Sequence, residues 1–211
     1  WILDNVDVSS VVNALATSMV IQHQDWGFKN YRLVFDQYGF TGVTINDLDL
    51  TLGRRWSISR GGLDPNVYVG GAFEHPGGPL FLTFFTDPVL SEMVRRRIRT
   101  VAEEVLVPPH LAARVNELAT VVRPDAVQDR AVWGTFGGAA DPTAEATRII
   151  DAFVVPQHAR LLGSLAAQGR VARTSQPSVP AVSIRAVAYD GIEHVVVRNN
   201  SGDSVDLSGF E

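Results

Sequence analysis

At 211 residues, with 45% hydrophobic and 19% charged side chains, the chain has the composition of a folded globular protein, long enough for one ordinary domain or one large and one small. Its net charge of -5 argues against a general nucleic-acid binder. The longest apolar runs, around Pro79 to Phe85 and Ile149 to Val155, fall short of the roughly 20 residues a membrane span needs, and the absence of cysteine excludes disulfides, zinc–thiolate sites and thiol catalysis.

The first predicted element is a helix over Val6 to Gln22, where Val11, Val12, Leu15, Met19 and Val20 recur at helical spacing and Asp7 or Ser9 stands near the start. Two short strands follow, Tyr31 to Phe35 and Phe40 to Ile45, joined by the turn-forming Asp36-Gln37-Tyr38-Gly39. Residues 53 to 78, rich in Gly, Arg and Asn, read as a long irregular loop able to carry substrate contacts. From Pro79 the pattern turns helical. Asp87-Pro88 starts a run to Leu106, Pro108-Pro109 starts another to Val121, Pro124 opens a third toward Trp133, and a last helix spans Pro142 to Ala167. Gly169 to Pro180 has linker composition, and Ser183 to Tyr189 with His194 to Arg198 alternate as strands around Asp190-Gly191. Opening at Trp1 without an initiator Met or signal peptide, the chain is expected to be cut from a longer one.

Two acidic clusters carry the chemistry. Asp25 precedes Asn30 by five residues, and Asp47-Leu48-Asp49 closes the second strand. An Asp-x-x-x-x-Asn element followed about twenty residues later by an Asp at a strand end is how protein-kinase-like enzymes place a catalytic aspartate and two metal ligands. Either cluster alone has an ordinary structural reading, since Asp-x-x-x-x-Asn is common by chance and Asp47 or Asp49 suits a turn after a strand.

Three segments in order resemble the spore-coat CotH kinases, atypical protein kinases related to the secretory-pathway kinases. Asp25-Trp26-Gly27-Phe28-Lys29-Asn30-Tyr31-Arg32-Leu33 resembles the family's Gly-Asn-x-Asp segment with its trailing Asn-Tyr and strand. Asp47-Leu48-Asp49-Leu50-Thr51-Leu52-Gly53 is similar to its Trp-Asp-Leu-Asp motif, and Asp129-Arg130-Ala131-Val132-Trp133-Gly134 to its downstream Asp-Arg-x-x-Trp signature. The resemblance implies an α+β fold with a mainly helical kinase-like C-terminal lobe over residues 1–168 and a small β-hairpin. It further implies transfer of the ATP γ-phosphoryl to Ser or Thr of a secreted or surface protein, at the cell surface or spore coat. Asp25 would then be catalytic, and Asn30, Asp47 and Asp49 would hold Mg²⁺ or Mn²⁺, with Asn30 and Asp47 also serving nucleotide binding.

Two positions depart from the family pattern. Its Gly-Asn is here Gln22-His23, where His23 is expected to hold the loop by a side-chain hydrogen bond as Asn does, and its Pro-Trp is Ile45-Asn46. The N-terminal lobe, with the lysine and glutamate that position ATP, has no counterpart in these residues, so the chain alone is expected to be inactive. After a linker over 169–182, residues 183–211 resemble the opening strands of a lamin-tail domain, an Ig-like β sandwich, and are expected to be poorly ordered or docked on their neighbour.

Other residues read as structural. His75, His110, His158 and His194 lack ligand spacing, Arg95, Arg96 and Arg97 suit a solvated helix face, and Asp129, Arg130 and Trp133 suit a packing and ion-pair feature. Gly61-Gly62 and Gly70-Gly71 lack the context of a phosphate loop. Competing readings are a metal-binding pseudokinase or adhesive scaffold and, on the last thirty residues alone, a carbohydrate- or surface-binding β protein.

Overall fold

A computed structural model describes residues 1–26, 29–37, 39, 41–54, 63, 79–134, 141–178, 181–189, 191 and 193–207. Most of the predicted 53–78 loop, including His75 and both glycine pairs, lies outside them.

A short helix α1 (Ile2–Asn5) leads through Val6 into α2 (Val8–Val20), which starts where the Asp7 carboxylate accepts from the Ser10 backbone N–H. Eight of the thirteen α2 residues are buried, so the amphipathic face predicted there is a core face. The helix rests on the hairpin β1 (Tyr31–Phe35) and β2 (Thr41–Ile45), paired antiparallel from Tyr31 opposite Ile45 to Phe35 opposite Thr41. Ser10 fixes the contact: its hydroxyl accepts from the Val43 N–H at 2.8 Å and donates to the Val43 carbonyl at 3.0 Å. Gly42 permits this approach, because a Cβ there would stand 3.1 Å from Ser10 Oγ.

Helices α3 (Pro79–Thr86) and α4 (Pro88–Glu104) follow, with Asp87 capping α4 through the Val89 and Leu90 N–H groups. Phe81 and Phe84, the α4 residues Leu90, Val94 and Ile98, and Leu15 of α2 join one core. Burying side chains of this size stabilises by about 1.5–3 kcal/mol each, which outweighs any local propensity in these short elements.

One proline, Pro124, was misjudged as punctuation. The two helices predicted over Pro108 to Trp133 are one, α5 (Pro108–Trp133), which runs through Pro124. Proline has no N–H to donate, but α5 buries only Ala119 among its residues, so water can satisfy the carbonyl left without a partner. The last helix does run from Pro142 but alternates: α6 (Pro142–Arg148), a π segment (Ile149–Val154), α7 (Val155–Arg160) and a second π segment (Leu161–Leu165). The first π segment sits just ahead of Pro156, where a widened turn accommodates the missing donor. No proline accompanies the second.

Beyond it, Val171 is buried in the main core and the following residues lie along α4. Arg99 donates to the Ala172 and Arg173 carbonyls, and Arg96, only 6% exposed, donates to those of Thr174 and Ser204. Arg97 bonds Asn13 and pairs with Asp206, while Asp206 exchanges two hydrogen bonds with Gln176. Of the run read as a solvated face, Arg95 pairs with Glu92 at the surface, while Arg96 and Arg97 therefore join Arg99 in clasping two distant segments. Between them stands a second hairpin, β3 (Val182–Ala188) and β4 (His194–Asn199), paired antiparallel with an irregularity between Ile184 and Ala186 and largely exposed. Mixed helices with two small antiparallel sheets make the α+β class expected.

Candidate active site

Two loops meet at the C-terminal end of α2. The helix closes with a hydrogen bond from the His23 N–H to the Ser18 carbonyl and another from Gln22 to Met19, a Schellman cap that holds Gln22 at φ 53°. Glycine is the usual occupant of that position, and here Gln22 adopts it while fully buried. Asn30, Asp47 and Leu52 also have positive φ, at 65°, 57° and 52°. Four non-glycine residues in the left-handed region within two short loops are backbone strain of the kind that collects at functional sites.

What holds that strain is a ladder between the loops. The Gln24 N–H donates to the Leu50 carbonyl at 3.0 Å, Leu52 to Ile21 at 2.9 Å, and Asn46 to Asn30 at 3.0 Å. His23, with no exposed surface, adds a side-chain bond at 3.1 Å between Nε2 and the Asp47 carbonyl. Burial pulls the His23 pKa below the ordinary imidazole value, although that carbonyl and the charges of Asp25, Asp47 and Asp49 push the other way. The loop-holding role expected of His23 is met. Behind the ladder, Arg148 donates to the Leu52 carbonyl and the buried Gln157 amide to that of Val20, both supports that the sequence did not single out.

Asp25 is 3% exposed. Its Oδ2 accepts from Asn30 Nδ2 at 3.0 Å and pairs with Lys29 Nζ at 2.9 Å, while Oδ1 is buried without a partner. Trp26 anchors the loop beneath it, fully buried, with its ring 5.2 Å from Phe81 and 5.6 Å from Tyr31. Asp47 and Asp49 are exposed, yet their charges act on both His23 and Lys29, so the three carboxylates share one electrostatic neighbourhood.

Among the described residues no three His, Asp or Glu gather closely enough to cage a metal ion. The donors still suit Mg²⁺, which takes one or two carboxylates and completes its shell with water and substrate phosphates. Asn30 gives its amide nitrogen to Asp25, whereas Asp47 and Asp49 stand in solvent, and the orphaned Asp25 Oδ1 marks a carboxylate lacking part of its company. A groove lined by Leu3, Val12, Met93, Arg97 and Leu207 among others contains none of these four residues.

In the downstream signature, expected to be a packing and ion-pair feature, Arg130 is half-buried but the aromatic residue does not pack. Asp129 is exposed and Trp133 is 75% exposed at the end of α5.

The sequence matches the family model described as CotH kinase protein over residues 1–154, and the chain belongs to that family. No curated protein and no solved structure matches it. Membership makes the chain kinase-related. No described helix is long and apolar enough to cross a membrane.

Proposed function

We propose that the protein transfers the ATP γ-phosphoryl group to a Ser or Thr hydroxyl of a secreted or surface protein. The observation that carries this reading is the ladder that locks the Asp25–Asn30 loop to the Asp47–Asp49 loop at a cluster of left-handed residues. Asp25 orients the acceptor hydroxyl and takes its proton as that oxygen attacks the γ-phosphorus and ADP leaves. Asn30, Asp47 and Asp49 would hold Mg²⁺ or Mn²⁺, which offsets the charge of the transferring phosphoryl. His23 keeps Asp47 in register, and Trp26 fixes the base of the Asp25 loop. Gln22-His23 in place of the family's Gly-Asn leaves the reading intact, because Gln22 takes the left-handed cap and His23 makes the bond.

The surface or spore-coat location and the lamin-tail reading of residues 183–211 belong to the same proposal, as does dependence of turnover on an ATP-positioning lobe outside these residues. A second reading, a metal-binding pseudokinase, draws on the 3% exposure of Asp25, which keeps an acceptor hydroxyl away while Lys29 and Asn30 cover it.

The test is Asp25→Asn in the full-length protein. Loss of phosphoryl transfer by about 10²–10⁴-fold, with Mn²⁺·ATP binding retained, is expected of a general base. Unchanged transfer removes Asp25 from the mechanism, and no transfer by the wild type despite nucleotide binding selects the pseudokinase.

A further inference from the structure

Lys29 is the cation that the candidate site already contains. Its ammonium sits 2.9 Å from Asp25 Oδ2 although 54% of its side chain is in solvent, while the Asp25 side chain is 2% exposed. Its pKa is raised, first by the hydrogen bond it donates to the Asp25 carboxylate and further by the charges of Asp25, Asp47 and Asp49. The Lys29 ammonium thus balances the Asp25 carboxylate directly. Asn30 Nδ2 donates to the same oxygen and Oδ1 is buried, so Lys29 and Asn30 are the described partners of this carboxylate.

We propose that Lys29 is a built-in counter-ion, displaced from Asp25 when a nucleotide-bound divalent cation arrives and recaptured by the nucleotide phosphates. The proposal rests on the metal–nucleotide reading of this site and adds a sign to it. A bare divalent cation approaching Asp47 and Asp49 meets the like charge of Lys29 and gains nothing from moving it. A metal–ATP complex brings phosphate oxygens that offer the ammonium a new partner, so the lysine assists it. Moving Lys29 uncovers Asp25 Oδ2 for the acceptor hydroxyl only when nucleotide is present. The lysine therefore couples nucleotide loading to exposure of the base and disfavours occupation by metal alone. Its long flexible stem suits that exchange of partners, which a rigid guanidinium fork would make less easily.

The experiment measures two affinities on the full-length wild type, Lys29→Met and Lys29→Gln: MnCl₂ alone, followed by the paramagnetic signal of free Mn²⁺, and Mn²⁺ with the non-hydrolysable AMP-PNP, followed by calorimetry. Removing the charge should tighten binding of Mn²⁺ alone about fivefold, the upper range for a half-exposed ion pair, and weaken Mn²⁺·AMP-PNP by a similar factor. Two neutral replacements of different polarity guard against an effect of packing, and matching circular dichroism spectra confirm folding. Shifts of the same sign in both affinities, or in neither, overturn the counter-ion role while leaving the metal site standing. Absence of any Mn²⁺ or Mn²⁺·AMP-PNP binding in the wild type overturns the metal–nucleotide reading and this inference with it.

Discussion

Replacing Arg96 with Met measures how firmly the C-terminal segments belong to the helical body. Arg96 is 6% exposed, and its guanidinium donates to the Thr174 carbonyl at 2.7 Å and the Ser204 carbonyl at 2.9 Å. Methionine keeps the apolar stem packed and removes both bonds. Hydrogen bonds to charged groups are worth about 1.5–3 kcal/mol each, and deleting the charge returns part of its desolvation cost, so the net loss should be about 2–4 kcal/mol. For a chain of this size that lowers the Tm by roughly 5–15 °C. Its neighbour provides the control, because Arg95 pairs with Glu92 at the surface, its side chain 37% exposed, and Arg95→Met should stay within about 0.5 kcal/mol of wild type. Urea denaturation followed by circular dichroism reads the stability, and limited proteolysis between residues 175 and 203 reads the docking. The reasoning is refuted if Arg96→Met matches Arg95→Met in both assays.

Two further predictions concern the site's supports. Because burial depresses the His23 pKa, the unfolded chain binds the extra proton first, so the stability His23 contributes is fully present above the unfolded value of about 6.5 and is lost as pH falls below it. His23→Gln, which can still donate to the Asp47 carbonyl, should flatten the fall in urea midpoint between pH 7 and 5.5 by at most about 1.4 kcal/mol per pH unit; equal pH slopes in the two proteins would contradict the assignment. Trp26→Ala should cost about 3–5 kcal/mol by emptying the space between Tyr31 and Phe81, and a loss below about 1 kcal/mol in the same denaturation assay would show that the loop does not depend on that anchor.

Which of these features the sequence disclosed follows from how local they are. The hairpin Tyr31–Phe35 and Thr41–Ile45 was legible because a turn signal separates two β-favouring runs, and the α2 face because its apolar spacing is regular. Asp25 and Asn30 are five residues apart, so their hydrogen bond needed only a short loop to form. The His23 bond to Asp47 spans 24 residues and could be anticipated only through the family resemblance. Arg96 reaches 78 residues to Thr174 and 108 to Ser204, and nothing in an arginine-rich helix distinguishes such a clasp from a solvated face. Pro124 misled because a proline lowers helix propensity without forbidding a helix whose freed carbonyl reaches water. Trp133 misled in the opposite sense, since a large aromatic residue is expected inside and this one is exposed.

Kinase chemistry centred on Asp47 is tested most directly by radiolabelled ATP transfer from the full-length protein, with Mg²⁺ or Mn²⁺, beside its Asp47→Ala variant. Transfer that requires the metal and disappears in Asp47→Ala, while the variant keeps the wild-type circular dichroism spectrum, is the predicted result. Comparable labelling by the folded Asp47→Ala protein would contradict the metal assignment and the mechanism built on it.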